Sequence, residues 1–273
     1  GTLSHTRRLL FPLPSGSKTI EPRKLNTSQW GYVCPIESPD GGNAGIINHL
    51  SISASVTFGI SSENIYKACL DNDMIDIKNI IPENVYKYKY SRVFINGNMV
   101  GLHSDPVYFS KLMRLLKKNS FINILTSVSW DVINNEIHIF TDEGRLYRPV
   151  LTLSTISKKW SKSGDFPCNP LIMGEFGASS NLNKMIHGYL FYHNNSELAN
   201  DLDIYNENYY KKELDELKSK YKNKEDLLDF LEDNQCLLEY LDVCESNYDF
   251  IAKDPFSINK MDYTHCEIHQ SLI

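Results

Sequence analysis

The chain has 273 residues, of which 41% are apolar and 23% charged, and this composition excludes a protein that is disordered throughout. The 28 basic and 34 acidic side chains give a net charge of −6, which excludes a uniformly basic nucleic-acid coat but allows a local basic patch. No apolar run approaches the roughly 20 residues of a membrane span, and we see no secretory signal in the first residues. The length predicts one large domain or two to three small ones, without membrane contact.

The first 45 residues are rich in turn formers and locally basic. In the first 24 residues a single acid, Glu21, stands against five bases, which are Arg7, Arg8, Lys18, Arg23 and Lys24. The Leu-Pro-Ser-Gly-Ser-Lys run at 13–18 predicts an exposed loop. Bases on such a loop can follow phosphates, although ordinary surface charge is the more frequent explanation of a cluster like this taken alone.

A dense motif, WGYVCPIESPDGGNAGIIN, follows at residues 30–48. Pro35 and Pro39 fix the backbone φ angle, while the glycines permit close backbone approach, so the motif predicts a rigid, irregular loop. That loop would present Glu37, Asp40 and Asn43. From the residues alone, an equally good explanation is a loop whose carboxylates only cap turns and a following helix.

Hydrophobic patterning predicts strands and helices in alternation after this loop, hence an α+β chain. Asn96-Gly97 between two apolar runs is a strong hairpin signal. Strands are predicted at 46–59, 92–95, 99–102, 128–131 and 136–141, and a short helix at 64–70. Residues 106–118 predict a helix that buries Phe109, Leu112, Met113, Leu115 and Leu116, with Arg114, Lys117 and Lys118 on its solvated side.

The last third of the chain is acidic. Residues 155–180 are rich in Ser, Lys, Gly and Pro and predict a linker or mobile loop. From Glu197 to Asp254 there are 17 acids and 7 bases, with apolar spacings that predict two short helices and a strand at 237–241. We interpret the acidic helices as a solvated outer face, which would repel nucleic acid.

Motifs of self-sufficient enzymes and of metal sites are missing from the sequence. It holds no phosphate-binding P-loop, no G-x-S-x-G elbow and no H-E-x-x-H motif. The HCEIH run at 265–269 has no second ligand pair for zinc, and no two cysteines form C-x-x-C. We therefore expect free thiols in an intracellular, reducing compartment, no zinc, and no metal or catalytic residue in this chain.

Several motifs together resemble the second-largest, β-like subunit of multisubunit DNA-directed RNA polymerases. LSHTRR (3–8), PRKLN (22–26) and VCPIESPDG (33–41) resemble its fork region. RVFING (92–97) and IFTDEGRLYRP (139–149) are similar to its first external domain, LEYLD (238–242) to its second, and THCEIH (264–269) to the entry of its hybrid-binding domain. The resemblance follows the family's order and covers nearly the whole chain, although 155–235 match only loosely.

The resemblance implies a multi-segment fragment with irregular fork loops and small mixed external domains. It divides the chain into a fork region at 1–60, an external 1-like α+β domain at 61–155, an external 2-like domain with acidic helices at 156–250, and a return to the fork and the start of the hybrid-binding domain at 251–273. The eukaryote-like ending favours a nuclear, archaeal or large-DNA-virus enzyme over a bacterial one. The Asn/Lys/Ile-rich filling is compatible with a viral source, for which the location would be the viral factory or virion rather than nucleus or cytoplasm.

The resemblance also implies roles for the two loops. The loop at 13–24 would be fork loop 2, whose Arg23 and Lys24 would offer charge to phosphates. Together with Arg7, Arg8 and Lys18, these bases would contact the DNA template and the RNA–DNA hybrid. Glu37, Asp40 and Asn43 would lie near the site of nucleotide addition, where nucleoside triphosphates bind. The acid at Asp40 is usually Glu in the family, so any length-dependent hydrogen bond there is in doubt.

Catalysis would depend on partners outside this chain. The magnesium would be bound by the largest subunit, and the chain would work only with that subunit and the other polymerase subunits. The alternative is a free-standing interaction module, built from the external domains, that binds a protein through its acidic surface.

Overall fold

A computed structural model describes residues 1–13, 17–153, 186, 207–221, 223–254, 257 and 263–272. The linker predicted at 155–180 and the tip of the loop at 14–16 lie outside the described residues. The described residues form helices together with small sheets, so the α+β class is confirmed. No helix in the described ranges has the length and apolar character needed to cross a membrane.

The N-terminal segment forms a small two-stranded sheet below its loops. Helix α1 spans Thr2–Thr6, and the strands β1 (Arg8–Leu10) and β2 (Ile47–His49) pair antiparallel. The strand predicted over 46–59 is broken into β2 and the two-residue β3 (Ser55–Val56). The break is a turn in which the Ala54 amide donates to the Ser51 carbonyl, and the turn is filled by the Arg7 guanidinium.

The central part is a mixed sheet with the order β4-β6-β5-β8-β7 among the described residues. The strands are β4 (Ile75–Asp76), β5 (Ser91–Ile95), β6 (Asn98–His103), β7 (Ser127–Asp131) and β8 (Glu136–Phe140). The predicted hairpin is confirmed: Asn96 and Gly97 both have positive φ, at 49° and 80°, as a tight two-residue turn requires. The predicted second strand pair is confirmed as β7 and β8.

Three helices accompany this sheet: α2 (Ser62–Asp71), α3 (Pro82–Tyr88) and α4 (Pro106–Lys118). Helix α4 begins where predicted because Pro106 occupies its first turn and the Asp105 carboxylate accepts from the Tyr108 amide. Its apolar face packs on the sheet and on α2, with Phe109, Leu112, Met113 and Leu116 fully buried. The solvated side predicted for α4 is wrong at Lys117, whose side chain is only 2% exposed.

The acidic part folds back onto this core. Helices α5 (Glu207–Lys220) and α6 (Lys224–Asp233) are followed by β10 (Leu238–Asp242), α7 (Val243–Ser246), β11 (Ile251–Ala252) and β12 (His265–Cys266). Leu227, Leu228 and Leu231 of α6 join the core cluster of α4, whereas Asp226 and Asp229 stay exposed. The prediction of solvated acidic helices is thus confirmed for α6, but not for the acids that follow it.

Strand β9 (Leu146–Thr152) joins distant parts of the chain in a second five-stranded sheet. One edge of β9 pairs with β10, and the other edge pairs with β3 near Tyr147 and with β12 near Leu151. One strand therefore ties residues from the N-terminal segment, the centre and the C-terminal segment. The domain boundaries at 60, 155 and 250 stay predictions, and this sheet crosses all three.

Candidate functional site

The loop of residues 37–45 is stiffened by its own short contacts. The Ser38 hydroxyl accepts from the Gly45 amide at 2.8 Å and donates to the Ile47 carbonyl at 3.2 Å. Asp40 precedes a 3-10 turn, Gly41–Asn43, and its carboxylate makes no capping hydrogen bond to that turn. Asp40 and Asn43 are both exposed, so this loop presents them to solvent while its base is fixed.

Glu37 is anchored, in contrast with Asp40. Its Oε1 lies 3.2 Å from Nδ1 of His49, a residue of β2 that is 6% exposed. Arg8 of β1 stands opposite His49 in the strand register and its own side chain is exposed. Through His49, the Glu37 carboxylate and the Arg8 guanidinium lie at the same end of the small sheet.

Arg23 joins the loop at 17–24 to the loop at 37–45. Its Nη1 donates to the carbonyls of Gly42, at 2.8 Å, and Ala44, at 2.7 Å. On its own segment, Nη2 donates to the Ser17 carbonyl at 2.7 Å and Nε to the Thr19 carbonyl at 3.1 Å. Four N–H groups of one guanidinium therefore bind backbone oxygens of two loops.

Gly45 lies directly against the backbone of Arg23. Its φ is +74°, and a Cβ added there would lie 2.7 Å from the Arg23 carbonyl oxygen and 2.9 Å from its Cα. Both the left-handed conformation and the lack of space require glycine at this position. The two loops therefore touch backbone to backbone.

The remaining bases differ in how free their charges are. Arg7 is half-buried and donates to the carbonyls of Ile52, at 3.3 Å, and Ala54, at 3.0 Å, so it stabilises a turn. Lys24 forms an exposed ion pair with Glu21 at 2.8 Å, and Lys18 is exposed. An exposed pair of this kind is worth less than about 1 kcal/mol, so phosphate can compete for Lys24.

The junction below these loops is built on Gly31 and Arg148. Gly31 has a φ of +78°, and a Cβ there would lie 2.6 Å from Nε of Arg148. Arg148, in β9, is buried, pairs with the Glu267 carboxylate, and lies 5.3 Å from the centre of the Tyr32 ring. Burial raises the pKa of Tyr32 to about 12, and its hydroxyl donates to the Leu241 carbonyl at 3.3 Å.

A buried ionic network connects α4 with the acidic C-terminal segment. Lys117 Nζ lies 2.6 Å from Oε2 of Glu245 and 3.4 Å from Oε1 of Glu239. Glu239 Oε2 also contacts Lys118, at 3.2 Å, and His265, at 2.8 Å. At the rim, Arg114 pairs with Asp249 and Arg145 with Asp242, each at 2.9 Å.

The pKa values of the two central carboxyl groups are shifted in opposite directions. Burial raises the pKa of Glu245 to about 7; Lys117 opposes this rise, and Asp242 and Glu239 add to it. Burial would raise the pKa of Glu239 too, but Lys118, Lys117 and the His265 hydrogen bond hold it well below its usual range. The network therefore favours the anionic form of Glu239, whereas burial favours the protonated form of Glu245.

Neither the loops nor the network forms a metal centre. Across the described ranges, no three His, Cys, Asp or Glu side chains come together in a way that could hold a metal ion. His265 and Glu267 of the HCEIH run bind Glu239 and Arg148 instead. Cys34, Cys69, Cys236, Cys244 and Cys266 form no disulfide among the described residues, and Cys168 lies outside them.

Comparison with known proteins matches the two regions that carry this geometry. The family described as RNA polymerase Rpb2, domain 3, matches residues 1–56, and the family described as RNA polymerase Rpb2, domain 4, matches residues 93–154. The first match contains both loops, and the second runs from within β5 to the end of β9. Residues 1–56 and 93–154 are therefore similar to two domains of second-largest RNA polymerase subunits.

Three similar proteins come from eukaryotes and an archaeon. The chain is 36% identical over 149 residues to DNA-directed RNA polymerase II subunit RPB2 of Meyerozyma guilliermondii, and 34% over 149 residues to subunit 2 of Arabidopsis thaliana. It is 31% identical over 162 residues to subunit Rpo2 of the archaeon Saccharolobus shibatae. Each match covers 55–56% of this chain but only 12–14% of the relative, so the chain spans a small part of the proteins that it matches.

Sequence reasoning found the loops but missed what holds them. It singled out Glu37, Asp40, Asn43 and the five bases, and the structure brings Arg23 against the 37–45 loop while Lys18 and Lys24 stay exposed. It did not identify Ser38, His49 or Gly45 as supports. Ser38 between Glu37 and Pro39 was a usable signal, since a Ser hydroxyl in a turn commonly binds nearby backbone.

Proposed function

We propose that this chain is part of the second-largest subunit of a DNA-directed RNA polymerase and contributes to template-directed RNA synthesis in the assembled enzyme. The observation that carries the proposal is the match of residues 1–56 to an RNA polymerase domain in the region where two mutually braced loops present charged side chains. The relatives named above are subunits of a nucleotidyltransferase complex. Partners are the largest subunit and the other polymerase subunits, in the nucleus or cytoplasm.

The loops would position nucleic acid rather than perform chemistry. Exposed Arg8, Lys18 and Lys24 supply positive charge that neutralises phosphates of the DNA template and the RNA–DNA hybrid. Such phosphate contacts do not read the nucleotide sequence. Asp40 and Asn43 face outward from a stiff turn and would border the site where the nucleoside triphosphate binds. Asp40 is one methylene shorter than the usual Glu, so it reaches less far.

Catalytic magnesium is proposed to be held by the largest subunit. Two-metal phosphoryl transfer needs a cluster of carboxylates, whereas Glu37 is engaged by His49 and stands apart from any such cluster within the described residues. Bound magnesium would stabilise the attacking and leaving oxygens of nucleotide addition. The two five-stranded sheets, which the buried ionic network holds together, would act as a scaffold for neighbouring subunits or factors.

The proposal is tested by purifying the polymerase through an affinity tag on this chain. We expect the tagged complex to synthesise RNA with template, nucleoside triphosphates and Mg²⁺, and the separate chain of residues 1–273 to add no nucleotide. RNA synthesis by the separate chain, or a stable tagged chain that never joins a polymerase, would refute it.

A further inference from the structure

We propose that Arg23 is a positioning residue that holds the 37–45 loop in place, and that it is not itself a phosphate ligand. This inference rests on the proposed function, because it assigns a task to that same pair of loops. The guanidinium has five N–H groups, and four of them donate to the carbonyls of Ser17, Thr19, Gly42 and Ala44. Only one N–H is left for a phosphate. The donors that the sequence suggested for DNA are already bound to backbone carbonyls.

The geometry of these contacts selects arginine. The carbonyls of Gly42 and Ala44 both meet Nη1, while those of Ser17 and Thr19 meet Nη2 and Nε, so the planar fork spans two segments at once. A lysine carries its three donors on a single nitrogen and cannot reach both sides. Lysine keeps the charge but loses the clamp, which makes it a sharp discriminating variant.

The other half of the clamp is Gly45. Its amide is held by Ser38, and its α-carbon faces the Arg23 backbone so closely that a Cβ would lie 2.7 Å from the Arg23 oxygen. Gly45→Ala therefore disturbs a second contact between the same two loops, the one to the Arg23 backbone, without altering any charge. If Arg23 acts by position, these two variants should have the same consequence.

The clamp makes the two loops one mechanical unit. Lys18 and Lys24 flank Arg23 on the segment at 17–24, and Asp40 and Asn43 lie on the segment that Arg23 grips. A phosphate bound by Lys18 or Lys24 would therefore fix the outward residues of the second loop. Contact with DNA and the geometry of nucleotide addition are joined through this one side chain.

The test uses the assembled polymerase with Arg23→Ala, Arg23→Lys, Gly45→Ala and Lys24→Ala, each checked for normal assembly. Three quantities are measured: amide exchange at Ala44 and Ile46, whose N–H groups donate to Gly41 and Asn43 within the loop; the maximal rate of nucleotide addition; and the slope of log affinity for template against log salt. Arg23→Lys, Arg23→Ala and Gly45→Ala should each raise exchange at least tenfold and lower the rate at least fivefold, with the slope unchanged. Lys24→Ala should reduce the slope by about one and leave exchange unchanged.

Two outcomes would overturn the inference. Arg23→Lys with wild-type exchange and rate, together with a reduced slope for Arg23→Ala, would make Arg23 a phosphate ligand. Gly45→Ala with wild-type exchange would show that the two loops are not clamped. Raised exchange with an unchanged rate would instead support the clamp and refute the placement of this loop at the active centre, so failure of the proposed function is told apart from failure of the clamp.

Discussion

Lys117 Nζ lies 2.6 Å from Glu245 Oε2, a carboxylate 128 residues further along the chain, and both side chains are almost completely buried. Lys117 comes from the middle of the fold and Glu245 from the acidic end, which the sequence separates by a long polar stretch. A buried charge that loses its partner is far costlier than an exposed one. The acidic segment is therefore bound to the core by charge as well as by the leucines of α6.

Removing this lysine should destabilise the fold strongly. Lys117→Met keeps the bulk but leaves Glu245 and Glu239 without their shared cation, so we expect a loss of about 3–5 kcal/mol in the free energy of unfolding at pH 8. Lys111→Met is the control, because Lys111 is half-exposed and pairs with Glu232 at 3.1 Å. The control should lose less than about 1 kcal/mol. Urea unfolding of the chain gives both values, and equal losses would contradict the network's importance.

The stability of the network should depend on pH through Glu245. Its folded pKa of about 7 is above the ordinary value of 4.5, so the folded state binds this proton more tightly than the unfolded chain. The stabilisation is fully present below pH 4.5 and is lost as pH rises through 7. Glu245→Gln mimics the protonated form, so wild type should lose on the order of 2–3 kcal/mol relative to this variant between pH 5 and pH 8. A constant difference across that range would contradict this assignment.

Gly31 should be intolerant of a side chain for two separable reasons. Gly31→Ala forces an alanine to a φ of +78° and drives its Cβ to 2.6 Å from Arg148. Gly97→Ala has a similar φ of +80° but nothing within 4 Å, so it measures the backbone cost alone, about 1–2 kcal/mol. We expect Gly31→Ala to lose at least about 1 kcal/mol more, since Arg148 is held by Glu267 and cannot simply swing away. Identical losses in thermal unfolding would mean that Arg148 yields freely.

The thiols should fall into two reactivity classes. Burial raises the pKa of Cys69 and of Cys236 to about 12, and that of Cys266 to about 11, so their thiolates are scarce at neutral pH. Burial also raises the pKa of Cys244, but Cys244 and Cys34 are only half-buried, so a reagent reaches them more easily. In a Cys168→Ser background, a thiol reagent at pH 8 should modify Cys34 and Cys244 first and the other three only on unfolding. Rapid modification of Cys69 in the folded chain would show that its surroundings open.

Local patterns were predictable from sequence because short-range chemistry sets them. Asn96-Gly97 sets the turn of its hairpin, although the Asn96 side chain is also hydrogen-bonded to Thr141. Pro106 with Asp105 sets the start of α4. The burial of Lys117 was unpredictable because the amphipathic pattern puts it on the polar side of the helix. Its partners, Glu239 and Glu245, lie more than a hundred residues further along the chain. Helical periodicity cannot register a cation that is buried with its counter-ions.

The candidate loops illustrate the same division. Proline and glycine spacing predicted an irregular, rigid loop that presents Asp40 and Asn43, and both residues are exposed on such a loop. Whether they lie near an active centre stays a prediction. In the sequence, Arg23 could not be distinguished from the four other bases. Counting charges cannot show that its N–H groups donate to the carbonyls of Gly42 and Ala44, about twenty residues away.

The most direct test of the central claim is a photo-crosslink in a stalled transcription complex of the assembled polymerase. A photoreactive nucleotide at the RNA 3′ end, and a second one in the downstream template strand, are activated and the crosslinked residues of this chain are mapped. The account predicts crosslinks within residues 17–45, with the RNA end reaching the 37–45 loop. Crosslinks confined to the acidic helices α5 and α6, or a chain that remains uncrosslinked while other subunits react, would contradict it.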